Sequence, residues 1–204
     1  MIFATCRTPH TAPRPALVSN NRIYPLPLAD MHAVIALGAD KAASLASQES
    51  FAPAEVQFLA PIQPASLRDA YAFEQHVRTA SQNRGRDVPQ EWYKFPAFYY
   101  TNPRTIFGPD EVIPNPHYTS AMDFELEIAV VIGKSGRDIK PEDAPRTHFW
   151  VHHLQRLVRP RCAARRTADR AWPSQGERLC LVFGTSDRDE RSAYRSGSGS
   201  PGRV

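Results

Sequence analysis

An α+β fold, richer in strand than in helix, is what this sequence predicts, and three observations predict it. Short apolar runs broken by Pro and by Asn-Asn fill residues 1–27. Two longer segments, 28–48 and 66–85, carry helical spacing and end signals. Residues 122–133, MDFELEIAVVIG, alternate acid and apolar side chains before an unbroken apolar run. Period-two alternation marks a strand, and apolar residues three and four apart mark a helix.

Taken in order, MIFATC, ALVS and RIYPL read as a small β-hairpin unit, because strands a few residues long are separated by turn-forming residues. LADMHAVIALGADKAASLASQ reads as one helix of weak amphipathic period. VQFLAPI, 56–62, is a strand closed by Pro. PASLRDAYAFEQHVRTASQNRG reads as a helix with Ser66 as N-cap, Asp69 completing a capping box and Gly85 after the last turn. The aromatic, Pro-punctuated stretch 86–118 suits strands and loops around a pocket. The acidic strand follows, then a turn and loop in GKSGRDIKPEDAP. No internal repeat is present.

Composition bounds the function. At 204 residues and 42% apolar content the chain can bury a core. It holds no apolar run of membrane-spanning length. The opening MIFATCRTPH lacks a signal-peptide core, so a cytoplasmic location is expected. Cys6, Cys162 and Cys180 show no paired spacing and are expected as reduced thiols. The net charge of +4 is unevenly spread. Residues 1–147 carry 14 Lys+Arg against 16 Asp+Glu, whereas 148–204 carry 11 Arg, no Lys and 5 acids. Ile occurs nine times before residue 148 and never after it. Such a jump marks a boundary, and its simplest reading is a basic tail for nucleic acid or an acidic partner.

Three carboxylates on one strand are the most informative feature. Strand side chains alternate between faces, so Asp123, Glu125 and Glu127 share one face and Phe124, Leu126 and Ile128 the other. Neighbouring carboxylates repel unless a cation lies between them, and oxygen donors select Mg²⁺, Mn²⁺ or Ca²⁺. A solvated acidic edge is the plain alternative. On a continuous helix Asp69 and His76 lie two turns apart on one face, which would suit a metal ligand beside a general base. The alternatives are a capping carboxylate and a half-exposed helical histidine. His148, His152 and His153 contain an i, i+4 pair without a supporting third ligand. RPRCAARR, 159–166, could meet phosphates, and SGSGSPG, 196–202, has linker composition.

Together RDAYAFEQHVRTA, WYKFPAFYYTNP and DFELEIAVVIGK resemble the fumarylacetoacetate hydrolase family, in order and in approximate separation. The resemblance covers about residues 1–147, loosely over the first 60. It implies a mixed β-roll, here truncated, with a small N-terminal β/α domain at 1–60, the first part of a catalytic domain at 61–147, and a non-homologous, disordered tail at 148–204. It further implies Asp69, Glu125 and Glu127 as ligands of Mg²⁺ (or Mn²⁺ or Ca²⁺) and His76 as the base that activates water. Tyr71, Tyr99 and Arg84 are the implied substrate contacts. The implied reaction is hydrolysis of a carbon–carbon bond in a β-diketo acid, the metal acting as Lewis acid on the enolate. Residue Thr79 stands where a His-x-x-Glu dyad would need its acid. Isomerisation or decarboxylation of an oxo-diacid on the same scaffold is the rival chemistry. The implied partners are a small oxo-acid and a second copy of the chain, with neither nucleic acid nor membrane.

The family continues with a segment like F-N-D-W-S-A-R-D, whose first Asp is a metal ligand, and later with a Gly-Lys-Asp-Phe segment carrying a catalytic Lys. The chain reads HFWVHHLQRLVRPRCAARR instead. Codons for Trp150 through Cys162, read from each second base, permit Gly-Phe-Thr-Ile-Phe-Asn-Asp-Trp-Ser-Ala-Arg-Asp. Arg170 through Cys180, in the same offset, permits Gly-Leu-Gly-Pro-Ala-Lys-Gly-Lys-Asp-Phe-Ala. Two such matches in one offset predict that the chain from about residue 147 is read out of frame. The Arg-rich, Ile-free tail then needs no nucleic-acid partner, and an impaired enzyme with an uncovered apolar face is expected.

Overall fold

A short antiparallel meander opens the chain because its turns are cut for it. The computed structural model describes residues 1–113, 123–158 and 181–182; at 150–158 and 181–182 the description is of backbone pairing. Strands β1 (Ile2–Arg7), β2 (Arg14–Ser19) and β3 (Arg22–Pro25) pair in sequence, as the apolar runs predict. Asn20 and Asn21 join β2 to β3 with φ of 50° and 55°. Asn tolerates this left-handed region, and two such residues form the tight turn whose twist matches a hairpin. Strand β4 (Gln57–Leu59) adds to the free edge of β1, giving the order β3-β2-β1-β4.

Both faces of this sheet are covered. On one, Cys6, Ala16 and Ile23 are buried, with Val18, Phe51, Val56 and Phe58 against them. On the other, Phe3 and Leu17 pack on a cluster of Leu26, Met31, Val34, Ala42 and Ile62. Helices α1 (Met31–Leu37) and α2 (Ala39–Ser44) supply Met31, Val34 and Ala42 of that cluster. The sequence predicts one helix here. Gly38, at φ 89°, breaks it in two, and the change of direction brings both Val34 and Ala42 into the same core. Asp30 caps α1, its side chain accepting from the Ala33 amide at 3.0 Å. Cys6 is a free, fully buried thiol; burial pushes its pKa up, with the Arg14 guanidinium pulling the other way. Cys162 and Cys180 lie outside the described residues.

The expected helix over 66–85 is corrected. Leu67–Ala70 is strand β5, and the helix, α3, spans Glu74–Gln82. Strand β6 (Phe98–Thr101) supplies the reason: it pairs antiparallel with β5, and a partner strand outweighs local helical spacing. Ser66 therefore caps no helix. The predicted end is right. Gly85, at φ 66°, follows the last turn, with Gly85 N donating to Gln82 O and Arg86 N to Ser81 O, the double closure typical of a glycine stop. The aromatic segment after it is held to α3 through Glu74, which accepts from Tyr93 Oη at 2.9 Å and from Arg78 at 2.6 Å. These two bonds, Tyr93 first, hold the Glu74 carboxyl below its usual range. The contact is thus complete above the ordinary glutamate pKa and lost as pH falls through the lowered one.

A second sheet has the order β7-β10-β9-β8, built from β7 (Ile106–Phe107), β8 (Asp123–Ile132), β9 (His148–Val158) and β10 (Leu181–Val182). Strands β8 and β9 pair antiparallel along their length. Part of the tail expected to be disordered, 148–158, is therefore strand. HFWVHHLQRLV is rich in aromatic and branched side chains, and the long edge of β8 is a template for any such segment. Residues 159–180 and 183–204, with the RPRCAARR and SGSGSPG segments, lie outside the described residues, as do 114–122. The register slips between Val131 and Ile132, whose partners are Trp150 and His148, so Phe149 has no opposite number. A bulge of this kind re-aims a side chain. Phe149 packs on the cluster of Leu26 and Val34 and stands 6.4 Å from Phe3, ring centre to ring centre. The structure is strand-rich α+β with few helices, as predicted, and its described sheets form no closed barrel.

The two sheets meet at Gly108, where a Cβ would lie 2.6 Å from the Leu59 backbone. Relief would require β7 and β4 to separate. Gly108→Ala is expected to destabilise the fold by about 1–3 kcal/mol, an overpacking cost, in urea denaturation. A variant as stable as the parent would show that these strands do not approach so closely.

Candidate carboxylate site

Strand β8 is where chemistry and packing meet, and its two faces are the reverse of the usual arrangement. Phe124, Leu126, Ile128, Val130 and Ile132 are 60%, 70%, 58%, 42% and 60% exposed. Glu125, Glu127, Ala129 and Val131, on the other face, are half-buried. The acid-bearing face is thus the one turned to the protein. Its apolar half anchors it: Val131 packs on the Leu26–Val34 cluster, and Ala129 packs on Ile106.

Ile106 also gathers the other strand that carries a predicted ligand. Leu67 of β5 packs on the same side chain. Asp69 lies two residues beyond Leu67, and Glu127 two residues before Ala129, each one strand repeat of about 7 Å along the same face. Both carboxylates therefore border the Ile106 cluster.

Asp69 is held by a residue the sequence reading places separately. It is the direct cross-strand partner of Tyr99, whose hydroxyl donates to Asp69 Oδ2 at 2.6 Å. A phenol donating to a carboxylate at this distance is a strong, charge-assisted hydrogen bond. It fixes one oxygen of Asp69. The alternation of FYYT carries the signal: Tyr99 and Asp69 face one side, while Phe98 and Tyr100 face the other around Arg68, whose guanidinium stands 5.9 Å and 4.9 Å from their ring centres.

His76 is exposed on α3, so it does not share a helix face with Asp69, which is on β5. Its ring meets the Tyr71 ring edge-on at 5.2 Å. Tyr71 is itself pinned at its backbone, its carbonyl accepting from Trp92 Nε1 at 2.8 Å and its amide donating to Ala97 O at 2.8 Å. Trp92 is a positioning residue that sequence reasoning did not single out. Arg84 is exposed at the end of α3, its guanidinium reaching the Ala80 carbonyl at 3.4 Å. The His148, His152 and His153 positions lie on β9, so the spacing read as a helical pair has no helix under it.

Among the described residues no three His, Cys, Asp or Glu side chains converge into a set that could hold a metal ion. Position 156, the direct ladder partner of Glu125, is Arg. Among the described residues, then, no donor set fits the metal. The two surface depressions at 134–147 and around Arg14 and Phe51 include none of Asp69, His76, Glu125 or Glu127.

The model of the fumarylacetoacetate hydrolase C-terminal domain matches residues 66–167, half of the chain. The chain belongs to the fumarylacetoacetate hydrolase family. The matched span begins just before β5 and runs beyond β9, past the expected frame change. Solved structures agree on the fold. A 5-carboxymethyl-2-hydroxymuconate delta-isomerase from Mycobacterium smegmatis aligns with a TM-score of 0.62 at 16% identity, over 93% of this chain and 68% of that one. A fumarylacetoacetate hydrolase from Exiguobacterium antarcticum gives 0.59 at 20%, over 81% and 59%. A maleylpyruvate hydrolase from Sphingobium gives 0.57 at 17%, over 90% and 65%. This chain thus spans 59–68% of the length of these relatives. Comparison with curated proteins finds no relative. Among the described residues no helix is long and apolar enough to cross a membrane.

Tyr99→Phe removes the donor to Asp69 and keeps the ring. It is expected to cost about 1 kcal/mol in urea denaturation, and Tyr100→Phe on the outer face less than about 0.5 kcal/mol. Equal effects would mean that the Tyr99–Asp69 bond does not hold β5 to β6.

Proposed function

We propose that the intact form of this protein is a metal-dependent hydrolase that cleaves a carbon–carbon bond in a small β-diketo acid, and that the chain as written is impaired in it. The observation that carries the reading is the family match over the segment that holds Asp69, His76, Glu125 and Glu127. The fold neighbours include two hydrolases of such acids by name, beside an isomerase. Asp69, Glu125 and Glu127 are the proposed ligands of Mg²⁺ (or Mn²⁺ or Ca²⁺), with His76 the proposed base. Tyr71, Tyr99 and Arg84 are the proposed substrate contacts. Tyr99 then also positions Asp69, by donating to its Oδ2.

The β8–β9 ladder supports the impairment. Position 156 is the Cα partner of Glu125. Directly opposite positions of an antiparallel pair put their Cβ atoms about 4.5–5.5 Å apart on the same face. Read in the shifted frame, the codons of Arg156 and Leu157 give Asp. The residue across the ladder from Glu125 would then be an acid in place of Arg. No metal-bound step is assigned to the chain as it stands.

The frame-restored protein is expected to hydrolyse an acylpyruvate, to lose that activity in excess chelator and in the Glu125→Gln/Glu127→Gln variant, and to exceed the chain as written by at least about a hundredfold. Oxaloacetate and a hydroxydienedioate assayed in parallel distinguish decarboxylase and isomerase. Undiminished turnover in chelator would refute the metal reading. A hydroxydienedioate turned over in preference to the acylpyruvate would replace hydrolysis by isomerisation.

A further inference from the structure

The depression around Arg14 and Phe51 lies between the start of β2, the end of β3 and the loop that follows α2. Its volume is about 340 Å³, at the small end of the range for ligand pockets. Backbone bonds pin its walls: Ser47 N donates to Pro25 O at 2.9 Å, and Ile23 and Phe51 exchange both of theirs at 2.9 Å. Leu26, Leu45 and Phe51 give it an apolar side. All of its lining precedes the matched span 66–167.

The polar side is dominated by donors. Arg14 lines the cleft, and its Nε is buried with no hydrogen-bond partner among the described residues. None of the ion pairs among those residues includes it. The Cys6 thiol, its cross-strand partner, is kept protonated by burial and brings no countercharge. Thr8 and Thr11 share one hydrogen bond, Oγ1 to Oγ1 at 2.7 Å, so whichever accepts still has its own hydrogen to give. Ser47 Oγ accepts from Glu49 N at 3.0 Å, which leaves the hydroxyl hydrogen of Ser47 as well. His10 and Glu49, both exposed, complete the charged lining.

The geometry points to a binding site for a small organic carboxylate with an apolar body, its carboxylate on Arg14 and its body against Leu26, Leu45 and Phe51. A buried donor left without an acceptor costs free energy, and an anion removes that cost. The planar guanidinium fork matches a carboxylate, and the apolar wall favours an acid with a ring over a bare inorganic anion. The site shares no residue with Asp69, His76, Glu125 and Glu127 and stands whether or not the proposed reaction does.

Saturation-transfer NMR on the full-length chain, with benzoate as the probe, tests it. Benzoate is expected to bind at least about tenfold more tightly than acetate, which lacks the ring, or benzamide, which lacks the charge. Arg14→Gln should weaken benzoate by at least about tenfold. Leu45→Glu should weaken it about threefold by setting a negative charge at the mouth. Leu45 is 42% exposed, so this second variant keeps the fold and decides the question if Arg14→Gln does not fold. No saturation of benzoate, or equal affinity in the parent and Leu45→Glu, would mean that water alone meets the Arg14 Nε and would overturn the site. Benzamide or inorganic phosphate binding as tightly as benzoate would overturn the ligand class.

Discussion

Strand β8 must satisfy two faces at once, and the rest of the structure follows from how it does so. Its inner row begins with acids and ends with Ala129 and Val131. Burying the apolar end against Ile106 and the N-terminal core commits the acidic end to the interior side. Successive residues of a strand point to opposite faces, so the row Phe124 to Ile132 is committed outward by the same act. Carboxylates held half-buried are expensive unless hydrogen-bonded or neutralised by a cation.

Around β8 the supporting elements have separate tasks. The N-terminal meander and its two short helices provide the cluster on which Val131 and Phe149 rest, and the bulge in β9 is what turns Phe149 toward it. The β5–β6 pair brings Asp69 to the other side of Ile106 and fixes it through Tyr99. Trp92 and the Glu74–Tyr93 contact tie the aromatic loop to Tyr71 and α3, where His76 sits. What the arrangement lacks is convergence: the carboxylates border one cluster without forming a metal-binding set among the described residues.

Sequence patterns were legible where the local signal and the tertiary environment agree. Asn20-Asn21 marks its hairpin, Gly85 its helix end, and the acid–apolar alternation β8, all through short-range backbone chemistry. Residues 66–73 were not legible, because Ser66-x-x-Asp69 imitates a capping box and only the distant FYYT segment reveals that LRDA is a strand. Gly38 was visible as a residue but not as a break, since a glycine within a helical pattern is often tolerated. The direction of β8 was hidden too. Alternation says which residues share a face, while the choice of inner face was set by Ile106 and by residues of the N-terminal core far away in sequence. The pairing of Tyr99 with Asp69 needed the register of β5 on β6, which no spacing within either strand contains.

Cysteine placed singly at each position from 124 to 132, with Cys162 and Cys180 made Ser and Cys6 left in its core, tests the orientation of β8 most directly. The rate of thiol labelling under native conditions reads the solvent access of each side chain. With this orientation of β8, labelling is fast at 124, 126, 128, 130 and 132 and slow at 125, 127, 129 and 131. A reversed pattern would put the acids in water and the apolar row inside, and a flat one would mean that the strand is not seated at all; either contradicts it.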